Sequence, residues 1–70
     1  MYRFLIVIEK TPRNYSAYSP DLPGCAATGN AVEEVQRNMR KAIEMHIQGL
    51  KEDKQPIPES SSIAEYIAVG

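Results

Sequence analysis

The residues best suited to covalent chemistry are a single cysteine, Cys25, and a single histidine, His46. A thiol becomes a strong nucleophile when a nearby base takes its proton and a third group orients that base. The sequence offers one imidazole and no assigned orienting group, and His46 falls at the border of the apolar stripe of a predicted helix. We therefore expect Cys25 to be a small buried thiol and His46 to be a half-buried packing or hydrogen-bonding residue. No catalytic residue is predicted.

Metal-assisted phosphodiester cleavage needs several carboxylates that converge on one small site. The candidates are Glu9, Asp21, Glu33, Glu34 and Asp53. Glu33 and Glu34 suit the start of a helix, where backbone N–H groups are free, and Asp53 lies at its far end. Glu9 suits a solubilising role at the end of a strand. With one cysteine and one histidine a zinc cluster is also excluded. We predict neither a metal site nor a cofactor.

The composition describes a single small domain over residues 1–70. A chain of this length buries a small share of its surface, and one cysteine cannot form an internal disulfide, so self-association remains as a stabilising device. The formal net charge of −1 and the isoelectric point near 5.7 give no general attraction for phosphate backbones, so free nucleic acid is not an expected ligand. No apolar run could span a membrane and no signal-peptide pattern appears, so we expect a cytoplasmic protein.

Three strands are predicted in the first part of the chain. Residues 2–9 are apolar on both alternating faces, which is typical of a strand covered on both sides. Turn-forming residues 11–14 lead to a second strand at residues 15–19 that can fold back antiparallel. Residues 20–24, with two prolines and a glycine, form a stiff connection to a third strand at residues 25–28.

A helix and a fourth strand complete the predicted fold. Asn30 and Glu33 have the spacing of a capping box, in which both side chains accept hydrogen bonds from free N–H groups at a helix start. Apolar residues then recur every three or four positions, and Pro56 stops the helix at about residue 54. Residues 63–69 are apolar enough for a strand that rejoins the sheet through a crossover. The predicted fold class is α+β, in the order β-β-β-α-β, with a mixed four-stranded sheet and one helix packed on one face.

The run YSAYSPDLPGC at residues 15–25 resembles the signature of the HicB-like antitoxin family. Further features of that family recur at similar spacing, so the resemblance covers nearly the whole chain: Glu9 with Lys10, Gly29 with Glu33 and Glu34, Ala42 to Glu44 with His46, and the Pro-Ile-Pro exit at residues 56–58. The resemblance implies a β-β-β-α-β fold similar to a trimmed ribonuclease-H-like sheet. It also implies a domain that binds and blocks a small toxin that cleaves messenger RNA.

The function implied by this resemblance is protein binding without catalysis, and the implied partner is a small basic RNA-cleaving toxin. Full-length antitoxins of the family usually carry a helix-turn-helix or ribbon-helix-helix segment after this domain, whereas this chain ends at Gly70. We therefore expect no C-terminal DNA-binding domain and no operator binding. The alternative is a solitary homo-oligomeric regulatory or ligand-binding protein that has no cognate toxin. An enzyme is the third alternative.

The stiff connection at residues 20–24 is the predicted partner-binding loop. Its prolines reduce the entropy that a loop loses when a partner holds it, although the same residue types also suit a simple turn between two strands. Tyr15 and Tyr18 fall on opposite faces of their strand, so one of them stays available to a partner. The predicted partner-binding residues are Tyr18, Asp21, Leu22 and Pro23.

Self-association is predicted from the first strand. One helix covers only one face of the sheet, so apolar residues on the other face stay exposed in a monomer. A two-fold dimer is the commonest closed arrangement that buries such a face. We expect a homodimer or a higher homo-oligomer, with an interface that contains Leu5, Val7, Tyr66 and Ile67.

Overall fold

A computed structural model describes residues 2–70 of the chain. Its elements are three strands and one helix: β1 (Val7–Lys10), β2 (Tyr15–Tyr18), β3 (Ala26–Gly29) and α1 (Val32–Glu52). The strands form one sheet in the order β1-β2-β3, and both neighbouring pairs are antiparallel. The α+β class and the order of the first four elements are confirmed.

The prediction of a fourth strand is wrong. Residues 63–69 form neither a strand nor a helix, and their large apolar side chains are exposed. Within residues 2–70 the sheet has three strands and no parallel pair, so it is antiparallel and not mixed. Apolar composition indicates that a segment tends to pair, but it does not say which sheet edge supplies the hydrogen bonds, and this chain provides none to residues 63–69.

β1 is shorter than predicted because its partner strand runs into a proline. Val7 pairs with Tyr18, and two residues earlier the same register sets Leu5 against Pro20, which has no N–H to donate. The side chain of the buried Ser19 supplies a hydrogen bond in place of the backbone: its hydroxyl donates to the Leu5 carbonyl over 2.9 Å. The chain before Val7 thus stays attached to the sheet although the backbone ladder has stopped.

The core lies between the sheet and α1, which packs against β2 and β3. Its buried apolar members are Ala17, Leu22, Cys25, Val35 and Met39. Val35 and Met39 are one helical turn apart, so a single stripe of α1 faces the sheet. From the first part of the chain, Phe4, Ile6 and Ile8 pack against this core.

The start of α1 departs from the predicted capping box. The helix begins at Val32, and the side chain of the preceding Ala31 makes no capping hydrogen bond. The third helical residue is consequently Glu34 and not Glu33, and the Glu34 carboxylate accepts a hydrogen bond of 3.2 Å from the backbone N–H of Asn30. The sequence located the helix start correctly to within a residue, but the acidic partner and the role of the Asn30 side chain were wrong.

The end of α1 is closed by backbone hydrogen bonds. The N–H of Asp53 donates to the Gly49 carbonyl over 3.0 Å, and the N–H of Gln55 donates to the Leu50 carbonyl over 2.8 Å. Lys54 has a φ of 55°, a left-handed conformation that turns the chain out of the helix. Within residues 2–70, no helix combines the length and apolar character that a membrane crossing requires.

Candidate functional site

The loop between β2 and β3 is held in one conformation by its own backbone. The N–H of Ser19 donates to the Cys25 carbonyl over 3.2 Å, and the N–H of Cys25 donates to the Leu22 carbonyl over 3.0 Å. Gly24 has a φ of 80°, which a glycine adopts without strain. Leu22 is fully buried in the core, whereas Pro23 is exposed. Of these two predicted contact residues, Leu22 therefore positions the loop and Pro23 lies at its surface.

Asp21 ties this loop to the chain that follows α1. Its carboxylate accepts hydrogen bonds from the Ser62 hydroxyl at 2.8 Å, the Ser62 N–H at 3.2 Å and the Ser61 hydroxyl at 3.3 Å. The Ser62 hydroxyl is the main reason that the pKa of Asp21 lies below its ordinary value; desolvation, the next largest effect, acts in the opposite direction, and the other hydrogen bonds from Ser61 and Ser62 lower the pKa further. We call this contact the Asp21–Ser62 latch. It engages the carboxylate within the chain, so the surface at this point is formed by Asp21 together with the serines.

The sheet surface opposite α1 is open. Val7, Tyr18 and Ala26 lie side by side across the three strands of this open face. The neighbouring Ala17 is 3% exposed and faces the helix, which places Tyr18 on the outer side, where it is 44% exposed. Leu5 precedes Val7 by two residues and is half-buried. The structure thus brings Tyr18, predicted to meet a partner, next to Val7, which was predicted to form a different interface.

Cys25 and His46 line the same shallow depression, together with Met45 of α1. Cys25 is buried, and this burial raises the pKa of its thiol. A raised pKa keeps the thiol protonated at neutral pH and makes it a poor nucleophile. His46 is half-buried, in agreement with the packing position expected from the helical pattern. The arrangement favours a structural thiol beside a helix.

The carboxylates that were considered for metal-assisted cleavage do not converge. Asp21 binds the serines after α1, Glu34 binds the Asn30 N–H, and Asp53 closes the end of the helix. In the part of the chain that the structure describes, no three His, Cys, Asp or Glu side chains are grouped as metal ligands are. Asp21 and Glu34 make separate side-chain hydrogen bonds, and Asp53 contributes its backbone N–H to the end of the helix.

The sequence analysis missed Ser61 and Ser62, which it treated as a linker. No local signal marks them, because they lie 40 and 41 residues from Asp21 and only the folded chain brings them together. Tyr66 and Ile67, predicted to lie in an oligomer interface, are 105% and 84% exposed. They follow the latch in the sequence and are not part of the sheet that contains Val7.

Comparison with known proteins identifies relatives over nearly the whole chain. The profile of the HicB-like antitoxin family of bacterial toxin–antitoxin systems matches residues 4–69. An uncharacterized 14.9 kDa protein of Haemophilus phage HP1 is 40% identical over 62 residues, which cover 89% of this chain and 47% of the phage protein. The chain therefore spans about half the length of that relative. A UPF0150 protein of Synechocystis is 31% identical over 70 residues, covering 99% of this chain and 89% of its own length.

A solved structure shares the fold. One chain of a HicA3 and HicB3 toxin–antitoxin complex matches with a TM-score of 0.68 and 29% sequence identity, over 84% of this chain and 72% of the other. The three-stranded antiparallel sheet and the helix of this chain are thus similar to those of that structure.

Proposed function

Because the chain belongs to the HicB-like antitoxin family of bacterial toxin–antitoxin systems, we propose that it neutralises a small basic RNA-cleaving toxin by binding it directly. It performs no chemistry of its own in this proposal. The observation that carries the proposal is the likeness to one chain of a toxin–antitoxin complex at a TM-score of 0.68. The protonated, buried Cys25 and the dispersed carboxylates are consistent with a binding role.

The open face is the surface that best fits this partner. Tyr18 presents an aromatic ring and a hydroxyl group from a paired strand, so little conformational entropy is lost when a partner covers it. Pro23 stands at the rim on a loop whose backbone is already fixed by Leu22 and Gly24. A partner therefore meets a surface that is preorganised before binding.

Charge on the open face also fits a basic partner. Glu9 is exposed, and it lies two residues from Val7 along β1 on the same side of the sheet. The chain as a whole carries a formal net charge of −1. An acidic group beside an aromatic anchor attracts a basic protein and adds to the specificity of docking.

We also propose that the chain forms a homodimer. Tyr66 and Ile67 are exposed to a degree that an isolated small protein rarely shows for such residues. Leu5 and Val7 share the open face with Tyr18, so an interface on that face would compete with the toxin. A dimer interface at the free edge of β1, next to Leu5 and Val7, would instead leave the open face available to the toxin.

The proposal is tested by co-purification from the native cells, with the tagged chain as bait and mass spectrometry as the readout. We expect one dominant small basic companion. Tyr18→Thr removes the ring and keeps a residue that favours strands, and it should deplete that companion at least tenfold, the equivalent of about 1.4 kcal/mol.

Val32→Thr is the matched control, because Val32 is 38% exposed at the start of α1 and lies outside the sheet. It should leave the companion bound. Recovery of the bait alone from the parent would favour the solitary regulator instead, and equal loss from both variants would show that the open face is not the binding surface.

A further inference from the structure

A groove lies between the first part of the chain and α1. Its volume is about 560 Å³, and its apolar lining comes from two segments: Tyr2, Phe4 and Ile6 on one side, and Met39, Ile43 and Ile47 on the other. Since α1 packs against β2 and β3, this groove is the part of the helix surface that the sheet leaves uncovered. Tyr2, Phe4 and Ile6 directly precede β1 in the chain, so the groove adjoins the β1 end of the sheet.

The edge of β1 beside this groove is free in the described chain. β1 pairs with β2 on one side, and the sheet order β1-β2-β3 leaves its other side without a neighbour. A free strand edge presents unpaired N–H and C=O groups and is a template for another strand. The groove and the edge together form a slot for one strand with an apolar face.

Residues 63–69 are a segment that fits this slot and occupies no other site. Ile63, Ile67 and Val69 fall on one side of an alternating strand and are 82%, 84% and 91% exposed. The radius of gyration is 13.5 Å, whereas a compact domain of this length has about 11 Å, so the segment projects from the body.

The Asp21–Ser62 latch determines which slot residues 63–69 can reach, the slot of the same chain or that of another copy. Asp21 lies in the connection between β2 and β3, while the free edge is on the far side of β1. From the latch, the segment must cross β2 and β1, a distance of about 10 Å, before it reaches that edge. The crossing uses about three of the seven residues and leaves too few to fill the slot.

We propose that residues 63–69 of one chain pair with the free β1 edge of a second copy and fill its groove, and that the two copies exchange these segments reciprocally. Each segment brings four large apolar side chains of roughly 100–200 Å² each. When the groove surface that each segment covers is counted together with the segment, two such exchanges bury on the order of 2,000 Å², which is the area of a stable protein interface. This inference rests on the groove, the free β1 edge, the exposed segment and the latch, and it is independent of toxin binding.

Light scattering of the full chain at micromolar concentration tests the exchange. The parent should have twice the 7.8 kDa mass of one chain. Ile67→Pro removes an N–H from the paired segment and should reduce the mass to that of one chain, whereas Ile67→Val keeps both the shape and the N–H and should remain dimeric. Residue 67 lies outside the core, so both variants keep the helical circular dichroism of the parent.

A second pair of variants tests the groove. Ile47→Lys places a charge in the slot and should also give the mass of one chain, while Gln48→Lys adds the same charge at an exposed neighbouring position and should not. If Ile47→Lys loses its helical signal, Ile47→Ala replaces it with the same expectation. A parent of 7.8 kDa, or a dimer that survives either Ile67→Pro or the folded Ile47 variant, overturns the proposal.

Discussion

At the residue scale, the Asp21 carboxylate attaches the segment that follows α1 to the loop between β2 and β3. Its pKa is lowered mainly by the hydroxyl of Ser62, so the ionised form is the one that the fold stabilises. A group whose pKa is lower in the folded state contributes stability above its ordinary pKa and loses it as the pH falls through the folded value. The latch should therefore hold at neutral pH and open in acid.

Replacing Ser62 tests this contact. In Ser62→Ala the pKa of Asp21 should rise toward its ordinary value, because the largest contribution to the shift is removed. The measurement is an NMR titration of the Asp21 side chain in both proteins. Ser60→Ala, which alters a neighbouring exposed serine, should titrate as the parent does. Identical Asp21 titrations in the parent and in Ser62→Ala would mean that the latch does not form in solution.

Cys25 permits a second prediction at this scale. Cys25→Ser should lower the free energy of unfolding by on the order of 1 kcal/mol, because a hydroxyl replaces a buried thiol among apolar neighbours. Urea denaturation measures the loss, and co-purification of the companion should be unchanged in the folded variant. A folded variant that selectively loses its companion would contradict a purely structural thiol.

At the scale of elements, the junction between β3 and α1 depends on a glycine. A Cβ on Gly29 would lie 2.6 Å from the backbone nitrogen of Val35, which cannot move without shifting the first turn of the helix. Gly29→Ala should therefore cost about 1–3 kcal/mol of stability. Gly49→Ala is the control, because a Cβ there meets nothing within 4 Å and alanine favours a helix interior by about 1 kcal/mol. Thermal unfolding should shift in opposite directions, and a stable Gly29→Ala would show that the junction is looser than described.

The elements with local signals could be predicted from the sequence. The apolar stripe that contains Val35 and Met39 defined α1, and the turn residues separated β1, β2 and β3. The capping position was displaced by one residue, from Asn30 to Ala31, whose side chain has no capping group and so gives no local signal. Whether residues 63–69 pair as a strand could not be predicted from the sequence. Pairing depends on which sheet edge lies within reach, and that is a property of the folded chain.

At the scale of the whole molecule, the same limit applies to the candidate site. Strand alternation predicts that one of Tyr15 and Tyr18 stays exposed, and the prolines predict a stiff loop, but the contact between Tyr18 and Val7 follows from the strand register. The sequence analysis therefore assigned Tyr18 and Val7 to two different surfaces, whereas the sheet places them on the same one. The burial of Leu22 was also hidden, because a leucine between two prolines gives no local indication of which way the loop folds.

The whole molecule then has two separate surfaces in this account. We propose that the open face with Tyr18 binds the toxin and that the free edge of β1 with its groove binds the exposed segment of a second copy. Because the two surfaces do not overlap, a dimer leaves both open faces available. A dimer of this kind is expected to bind two toxin molecules.

The measurement that tests the central claim most directly is RNA cleavage by the purified companion in the presence of increasing amounts of this chain. We predict that cleavage falls in proportion to the chain added and stops near one chain per toxin, while Tyr18→Thr requires at least tenfold more protein and Val32→Thr behaves as the parent. Continued cleavage in the presence of excess folded parent would contradict neutralisation by direct binding.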